Sequence, residues 1–588
     1  MMVIFKMIEY FREKIYEIYN ILLQPIDIMF KITAINKCKA DLNIGKNENF
    51  GEYYYKISFD KKLKGMVYTP IQIADYMLKS TIKAEDIIGN PYLKIVDPSC
   101  GSGNLIIPCF FYLQIIYKHN LKAINEINNI NLEEKDISEH IVKNNLFGFD
   151  IDDFALKLLI IDLYQASQLI EIDNFKCSDF LVYSNEHKYD IFIGNPPYIG
   201  HKTISREYSI NLKKIYKDLY RDKGDLSYCF FGAALNKLKK GGKLSFITSR
   251  YFLESPSGEN LRKTLKEFCS IEKIVDFYGI RPFKNIGIDP VILFMTLDNN
   301  NKDIEIIKPV IKKEKEFISS VFQNKGTSYL NFHINKNILN DKGWVLREEK
   351  ERNIINKIEK KCFTTLGNIC ESYQGIITGC DKAFVVNECT INEEALEKSI
   401  IKPWIKSSYI NKNQINRSDK YLIYSNLIDE ENNYINCINH MLLHKSKLME
   451  RRECKNKVRL WYELQWGRNQ EIFEGEKIVF PFKASSNRFS LDKGSYFSAD
   501  VYCLLIKDNM PFNYEYLLKI LNSSIYEYYF KSFAKKLGED LYEYYPNNLM
   551  KLCIPTMIDI SEDIDNFLYN YFELEDFEIK IIEENINI

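Results

Sequence analysis

Residues 189–200 read YDIFIGNPPYIG, and the two halves of this stretch differ in character. The apolar run Ile191-Phe192-Ile193 has the length and composition of a buried strand. It ends in the rigid turn Asn195-Pro196-Pro197-Tyr198. The two prolines fix φ and supply no backbone N–H, so the carbonyls there are stiffly presented acceptors. The Asn195 side-chain oxygen and the Pro196 carbonyl can together accept both hydrogens of a planar amino group. Such bonds favour a more pyramidal nitrogen and free its lone pair. Tyr198 adds an aromatic face on which a flat group stacks. The turn can therefore make a poor amino nucleophile attack an electrophile. Read in isolation, it is equally a strand-end turn opened by Asn-Pro.

Outward from this strand, residues 50–300 alternate short apolar runs with helix-length amphipathic segments, the pattern of a βαβ-type parallel sheet. Strands are predicted at 94–96, 146–149, 190–194, 243–248, 273–277 and 291–295. A polar stretch between His119 and His140 reads as an insertion. The first strand runs through Asp97-Pro-Ser99-Cys-Gly101-Ser-Gly103-Asn104 into a helix. Gly101 and Gly103 let the backbone pass close to a ligand where a side chain would collide. A strand–Gly-x-Gly–helix element alone also suits nucleotide and dinucleotide sites. An NAD enzyme, however, would carry a third glycine where Ile106 stands, and an acid about 20 residues further on. Asp150 closes the second strand, where a carboxylate can accept both hydroxyls of a ribose. Asp179 closes a third and can accept from an adenine amino group. Either acid is alternatively a helix N-cap.

In this order the elements resemble the S-adenosylmethionine-dependent amino-methyltransferases, in particular the gamma-class DNA adenine N6-methyltransferases of the TaqI and Eco57I type. The motif-level likeness covers roughly 60–300. It includes Gly65-Met-Val-Tyr68-Thr69-Pro70 upstream, the helix–GG–strand block at 226–253, and Arg281-Pro-Phe283-Lys-Asn-Ile-Gly287 downstream. The resemblance implies a Rossmann-like α/β methyltransferase domain followed by a mixed α/β DNA target-recognition domain. It implies S-adenosyl-L-methionine as cofactor, held by Tyr68, Thr69, Asp97, Ser99, Gly101, Gly103, Asn104, Asp150, Ile151, Asp179, Phe180 and Asn195. Catalysis falls to Asn195, Pro196 and Tyr198, with Tyr198 and Phe283 stacking on the two faces of a flipped adenine. The peptides GNPPYIGHK, RYFLES, FKNIG, QGIITGCDKAF (374–384), RREC (451–454), WYELQWGR (461–468) and FSADVY (497–502) are similar to the orphan sporulation-linked adenine methyltransferases of clostridia. That likeness omits residues 1–50 and the acidic tail. It implies double-stranded DNA as partner, at an asymmetric A-rich site such as CAAAAA.

The rest of the chain is organised as a helical extension (1–50), the methyltransferase domain (51–300), a charged connector (301–365), the target-recognition domain (366–550) and an acidic helical tail (551–588). Arg451, Arg452, Lys455, Lys457 and Arg459 precede Trp461, Tyr462 and Trp466, a pattern suited to neutralising phosphates while aromatics wedge or stack. The same residues also read as a solvated helix face beside a small aromatic core. Asn487 and Arg488 are candidates for reading base edges, and His201 and Lys202, just past the turn, for phosphate contact.

The net charge of −1 conceals an asymmetry: residues 557–588 carry −9, leaving +8 on the remaining 556. A basic groove is compatible with that. The fourteen cysteines include no C-x-x-C pair, so neither a zinc cage nor a regular disulfide framework is expected. His440 and His444 share helical spacing without a third ligand nearby, and no metal is expected. No signal peptide or membrane span is read in the chain, and a bacterial cytoplasmic enzyme, associated with the nucleoid through DNA and without an obligate protein partner, is expected. Glu474-Gly-Glu476-Lys477 is a faint nuclease-like E-x-K. A protein-glutamine or RNA amino-methyltransferase, and the methylase of a restriction–modification system, are the competing readings.

Overall fold

A computed structural model describes residues 2–58, 67–200, 203–221, 224–283, 287–298, 300, 303–310, 314–416, 418–538, 541–557 and 563–586. His201 and Lys202 lie outside the described residues. The chain divides into two units, 1–346 and 347–588.

The first unit is built on nine strands: β1 (Ile95–Asp97), β2 (Leu146–Asp150), β3 (Phe175–Cys177), β4 (Tyr189–Gly194), β5 (Leu238–Ser249), β6 (Ser270–Asp276), β7 (Pro290–Thr296), β8 (Asp303–Pro309) and β9 (Tyr329–Asn335). Their order is β3-β2-β1-β4-β5-β7-β6-β8-β9. Strands β1–β5 run parallel to one another. The expected parallel sheet needs correction beyond β5: β7 runs antiparallel to both β5 and β6, and β9 antiparallel to β8. The segment joining β6 to β7 carries no helix among its described residues. The chain therefore returns directly alongside itself instead of crossing over the sheet.

The sheet is covered on both faces, which explains why the strands read as continuous apolar runs. Along β4, Ile191 and Ile193 enter one core with Leu113, Tyr117 and Phe317. Phe192 enters the other with Phe230, Phe231 and Leu261. Each such fully buried side chain contributes roughly 1.5–3 kcal/mol. Strands β8 and β9 lie within the stretch read as a connector, where charged residues on the exposed positions mask alternating Ile304, Ile306 and Ile334 in the core.

Helices Met2–Leu23, Ile28–Asp41 and Phe50–Ile57 pack on helix Asp153–Ser167. Phe11, Ile15, Leu22 and Tyr54 meet Phe154, Leu158 and Ile161 there. The buried carboxylate of Asp162 accepts hydrogen bonds from the backbone N–H of Phe50 (2.9 Å) and Gly51 (3.0 Å). It thereby satisfies two of the donors that every helix N-terminus leaves orphaned.

In the second unit an antiparallel sheet orders Cys370–Gln374, Val501–Ile506, Glu476–Pro481 and Ser490–Lys493. A second sheet orders Val385–Asn387, Lys420–Ile423, Ile401–Ile405 and Tyr496–Phe497. The acidic C-terminal helices Ile564–Tyr571 and Asp576–Ile586 dock rather than trail: Leu568, Phe572 and Ile582 share a core with Ile354 and Ile358. Lys357 pairs with the buried Glu578 at 2.5 Å. Among the described residues no helix is long and apolar enough to cross a membrane.

Candidate active site

The strand order reverses between β1 and β4, and a crevice opens at the carboxyl ends of strands at such a switch point. A cleft of ≈ 880 Å³ lies there. It is lined by Asp97, Ser99, Gly101 and Asn104 after β1, Asp150 and Ile151 after β2, Asp179 and Phe180 after β3, and Asn195 and Pro197 after β4. Tyr68 and Thr69 line it as well, so most of the residues predicted to hold a cofactor converge on one cavity.

The loop after β1 takes its shape from left-handed glycines, Gly101 at φ +49° and Gly103 at φ +92°. A Cβ on Gly103 would stand 2.4 Å from Leu159 Cδ1. Gly103 lines a neighbouring side cavity instead of the main cleft. The Gly101 N–H donates to Asp150 Oδ2 at 2.8 Å, and the Asp152 N–H donates to Oδ1 at 2.8 Å. Those bonds fix the carboxylate while leaving each oxygen further acceptor capacity. Asp152, the next residue but one, is the N-cap of helix Asp153–Ser167. Ile151 is 75% exposed, an apolar side chain offered to the cleft where a flat ring can lie against it.

Asp97 is buried in the cleft, and among the described residues no cation lies beside it. Desolvation, aided by the nearby Asp150 charge and opposed by the Ser99 N–H at 3.0 Å, pushes its carboxyl up to about 8. Asp179 is already engaged: its Oδ1 accepts the Leu181 N–H at 2.9 Å, and its Oδ2 accepts the Tyr208 hydroxyl at 2.7 Å.

At the turn, the Asn195 side-chain amide donates to Thr69 Oγ1 at 3.1 Å, and its backbone carbonyl accepts from the Ser99 hydroxyl at 3.3 Å. The other half of the amide, Oδ1, is buried and has no hydrogen-bond partner. An orphaned buried acceptor is costly and calls for a donor from a ligand. The Tyr198 ring lies against Phe283, with centroids 6.1 Å apart and planes inclined by 49°. Phe283 is only 3% exposed. The two rings predicted to sandwich a base thus touch each other, and they must part before anything flat enters between them.

Sequence reasoning missed one wall of the cleft. Arg12, Tyr16, Gly51, Tyr54 and Tyr55 of the N-terminal helices line it, as do Tyr208, Leu226 and Phe230. A Cβ on Gly51 would meet Ser102 Oγ at 2.5 Å, so the N-terminal helices press directly on the glycine loop. No local motif marks these residues; only the glycine at the start of an aromatic helix hinted at close approach.

In the second unit two predicted DNA contacts are corrected. Arg451 is 9% exposed and spends its guanidinium internally, on the carbonyls of Leu448 (2.9 Å), Thr378 (3.2 Å) and Trp461 (2.8 Å). Asn487 is 2% exposed, donating to the Leu521 carbonyl at 2.6 Å and accepting from the Tyr544 hydroxyl at 2.7 Å. Charged and amide side chains are buried only when paired in this way. Arg452, Lys455, Lys457 and Trp466 are exposed, while Trp461 and Arg488 are half-buried. Lys477 of the E-x-K run is fully buried and pairs with Asp492 at 2.6 Å. His440 Nδ1 lies 2.7 Å from Glu394 Oε2.

Residues 133–283 match the family model described as Eco57I restriction-modification methylase, and residues 402–554 match the TaqI-like C-terminal specificity domain. The first match contains Asp150, Asp179, the 195–198 turn and Phe283; the glycine loop precedes it. The Type II methyltransferase M.BstVI of Geobacillus stearothermophilus is 23% identical over 572 residues, 89% of this chain and 98% of its own length. The Type II methyltransferase M.HindII of Haemophilus influenzae is 27% identical over 456 residues, 70% of this chain and 84% of its own. Among solved structures, the Type IIL restriction-modification enzyme MmeI, in complex with DNA, superposes with a TM-score of 0.60 at 14% identity, over 91% of this chain and 74% of that one. The last likeness is one of fold.

Proposed function

Since the chain is a member of the Eco57I/TaqI-type restriction-modification methylase family, we propose that it transfers the methyl group of S-adenosyl-L-methionine to the N6 amino group of adenine in double-stranded DNA. The observation that carries this reading is the Asn195 amide, anchored through Nδ2 to Thr69 with its buried Oδ1 unpartnered. A planar amino group is the donor that such an acceptor needs.

The cleft suits a cationic nucleoside. Asp97, Asp150, Asp152, Asp153 and Asp179 line it against the single guanidinium of Arg12. Ile151 offers an apolar face, and Asp150 a fixed carboxylate with capacity for ribose hydroxyls. When bound, the cofactor supplies a methyl group already activated on a sulfonium. The protein's burden is then alignment. Asn195 Oδ1 and the Pro196 carbonyl accept the two amino hydrogens, Tyr198 and Phe283 part to hold the ring, and Thr69 keeps the amide in register. An adenine within a duplex must first be flipped out, at a cost of a few kcal/mol. Arg452, Lys455 and Lys457 are exposed cations available to phosphates, and Trp466 is exposed as well.

The finer reading is an orphan enzyme acting at an asymmetric A-rich site such as CAAAAA, supported by the peptides at 374–384, 451–454, 461–468 and 497–502. The test is incubation with labelled cofactor and duplex DNA followed by nucleoside analysis. N6-methyladenine is expected, and label found only in protein or RNA would refute the proposal. Long-read sequencing of host DNA with and without the gene then reports the site. A cognate nuclease, the alternative context, would show as cleavage of unmethylated DNA by a neighbouring gene product.

A further inference from the structure

In the second unit the basic segment before Trp461 folds into a closed turn. Helix Arg452–Lys455 is a single turn, and its C-terminal end is capped twice. The Lys457 N–H donates to the Cys454 carbonyl at 3.0 Å, and the Val458 N–H to the Glu453 carbonyl at 2.9 Å. With Lys457 left-handed at φ +57°, this pairing is a Schellman cap. Arg451 closes the base of the turn, its guanidinium donating to the Trp461 carbonyl at 2.8 Å. We propose that Val458 and Leu460, carried on this turn, form an apolar wedge that enters between stacked base pairs of duplex DNA. The inference rests on the DNA reading above and adds to it a local unstacking of the duplex.

Two irregularities set this turn apart from an ordinary helix cap. A Schellman cap frequently seats the residue after the left-handed one against an apolar side chain near the helix end. The positions that would supply that seat hold Glu453 and Arg452. Val458 is accordingly 65% exposed, and Leu460, two residues on, is 56% exposed. The left-handed position itself, ordinarily glycine, holds a lysine, whose Cβ makes that conformation unfavourable. Glycine would hold the turn at lower cost. Strain kept in this way, beside unseated apolar side chains, points to a ligand.

Charge selects the partner. Arg452, Lys455, Lys457 and Arg459 surround the two aliphatic side chains in sequence, against the single acid Glu453. The Glu453 carboxylate accepts from the Gln465 amide at 3.1 Å, and Arg459 has Glu463 at 3.8 Å. Among the described residues no acid lies within salt-bridge distance of Arg452, Lys455 or Lys457. Cations left for phosphates, with branched aliphatics between them, match a duplex: phosphates meet the charge while the wedge covers the faces of unstacked bases. A turn closed before contact also loses little freedom on insertion. An anionic lipid surface would meet the same charge, but its hold scales with buried apolar area, and two side chains on one turn offer little.

The double substitution Val458→Ser, Leu460→Ser in the full chain tests the wedge, because it removes apolar volume and no charge. The probe is a duplex carrying the site that host-DNA sequencing reports, with 2-aminopurine placed at each position in turn. With the native protein, fluorescence is expected to rise at a position outside the target adenine. The double variant is expected to lose that signal and to bind about tenfold more weakly. Its salt slope and melting temperature should match the native chain, since both side chains are exposed; a merely structural role would lower the melting temperature. No rise outside the target with the native chain, or a rise that the double variant keeps, overturns the proposal. So does native binding to phosphatidylserine vesicles that the variant loses while the DNA signal persists. If the native chain binds no duplex, the DNA reading itself fails and the wedge with it, a result distinct from binding without unstacking.

Discussion

The Asn195 side chain reaches 126 positions back along the chain to donate a hydrogen bond to Thr69 Oγ1 at 3.1 Å. This contact decides which half of the amide remains to accept from a ligand. Thr69→Val removes the anchor, and methyl transfer is expected to slow by about tenfold, near the upper end of one net hydrogen bond. Thr69→Ser should retain most of the rate. Asn195→Ala is expected to cost roughly 10²–10³-fold in methyl transfer, as for loss of one preorganised polar group, a larger loss than its effect on cofactor affinity. Single-turnover kinetics beside calorimetry separate the two effects.

Asp97 gives the cofactor-free protein a pH signature. Its carboxyl is raised from 3.8 to about 8, so folding favours the protonated form. That contribution to stability is complete below the unfolded pKa and is lost as pH rises through about 8. Thermal melts should show the decline, and Asp97→Asn should flatten part of it; Asp162, raised to about 7, supplies more. A cationic cofactor prefers the carboxylate. Its affinity should therefore strengthen by up to about tenfold per pH unit below about 8 and level off above, since one unit is about 1.4 kcal/mol. A flat profile in calorimetric titrations would contradict this.

Two left-handed glycines should respond differently to alanine. Gly103→Ala meets Leu159 within 2.4 Å and must also hold φ +92°. Overpacking of about 1–3 kcal/mol adds to backbone strain of about 1–3 kcal/mol, and cofactor binding should weaken with stability. At Gly241, φ is +76° but nothing lies within 4 Å of a Cβ, so only the strain remains. Denaturant midpoints for the two variants should rank accordingly.

The basic cluster near Trp461 should split by burial. Arg451→Ala removes the guanidinium bonds to three carbonyls and is expected to destabilise by about 2–4 kcal/mol. Arg452→Ala and Lys455→Ala should leave the melting temperature unchanged, weaken DNA binding, and reduce the slope of log affinity on log salt by about one each.

Parting of the Tyr198 and Phe283 rings is testable with 2-aminopurine at the target position. Phe283→Ala should diminish the stacked, flipped population and slow transfer, at about 1–3 kcal/mol for one base–aromatic contact. An unchanged fluorescence response would remove Phe283 from the site.

What was legible in the sequence follows locality. Six of the strands, the glycine loop and the turn after β4 are short-range patterns, and each predicted strand overlaps an observed one. The acids Asp150 and Asp179 were recognisable because they end apolar runs. Arg451 and Asn487 were misread because residue type speaks for chemistry but not for burial. Gly379, whose Cβ would meet Arg451 Cδ at 2.7 Å, closes over that arginine from a loop seventy residues away. The Tyr54, Tyr55 and Arg12 wall, and the hold of Tyr208 on Asp179, depend on contacts between distant segments that no single window displays.

Asp162 holds a helix made more than a hundred positions earlier in the chain. During synthesis, residues 2–57 emerge well before helix Asp153–Ser167, the surface on which they pack, so their apolar faces wait without a partner. Contacts of such sequence separation carry a loop-closure cost and form late. The N-terminal wall of the cleft therefore forms only after the glycine loop and the acid of β2 are in place. Proteolytic protection of residues 2–57 during translation would thus mark the docking of that wall, ahead of the walls that Asp179, Asn195 and Phe230 supply from later in the chain.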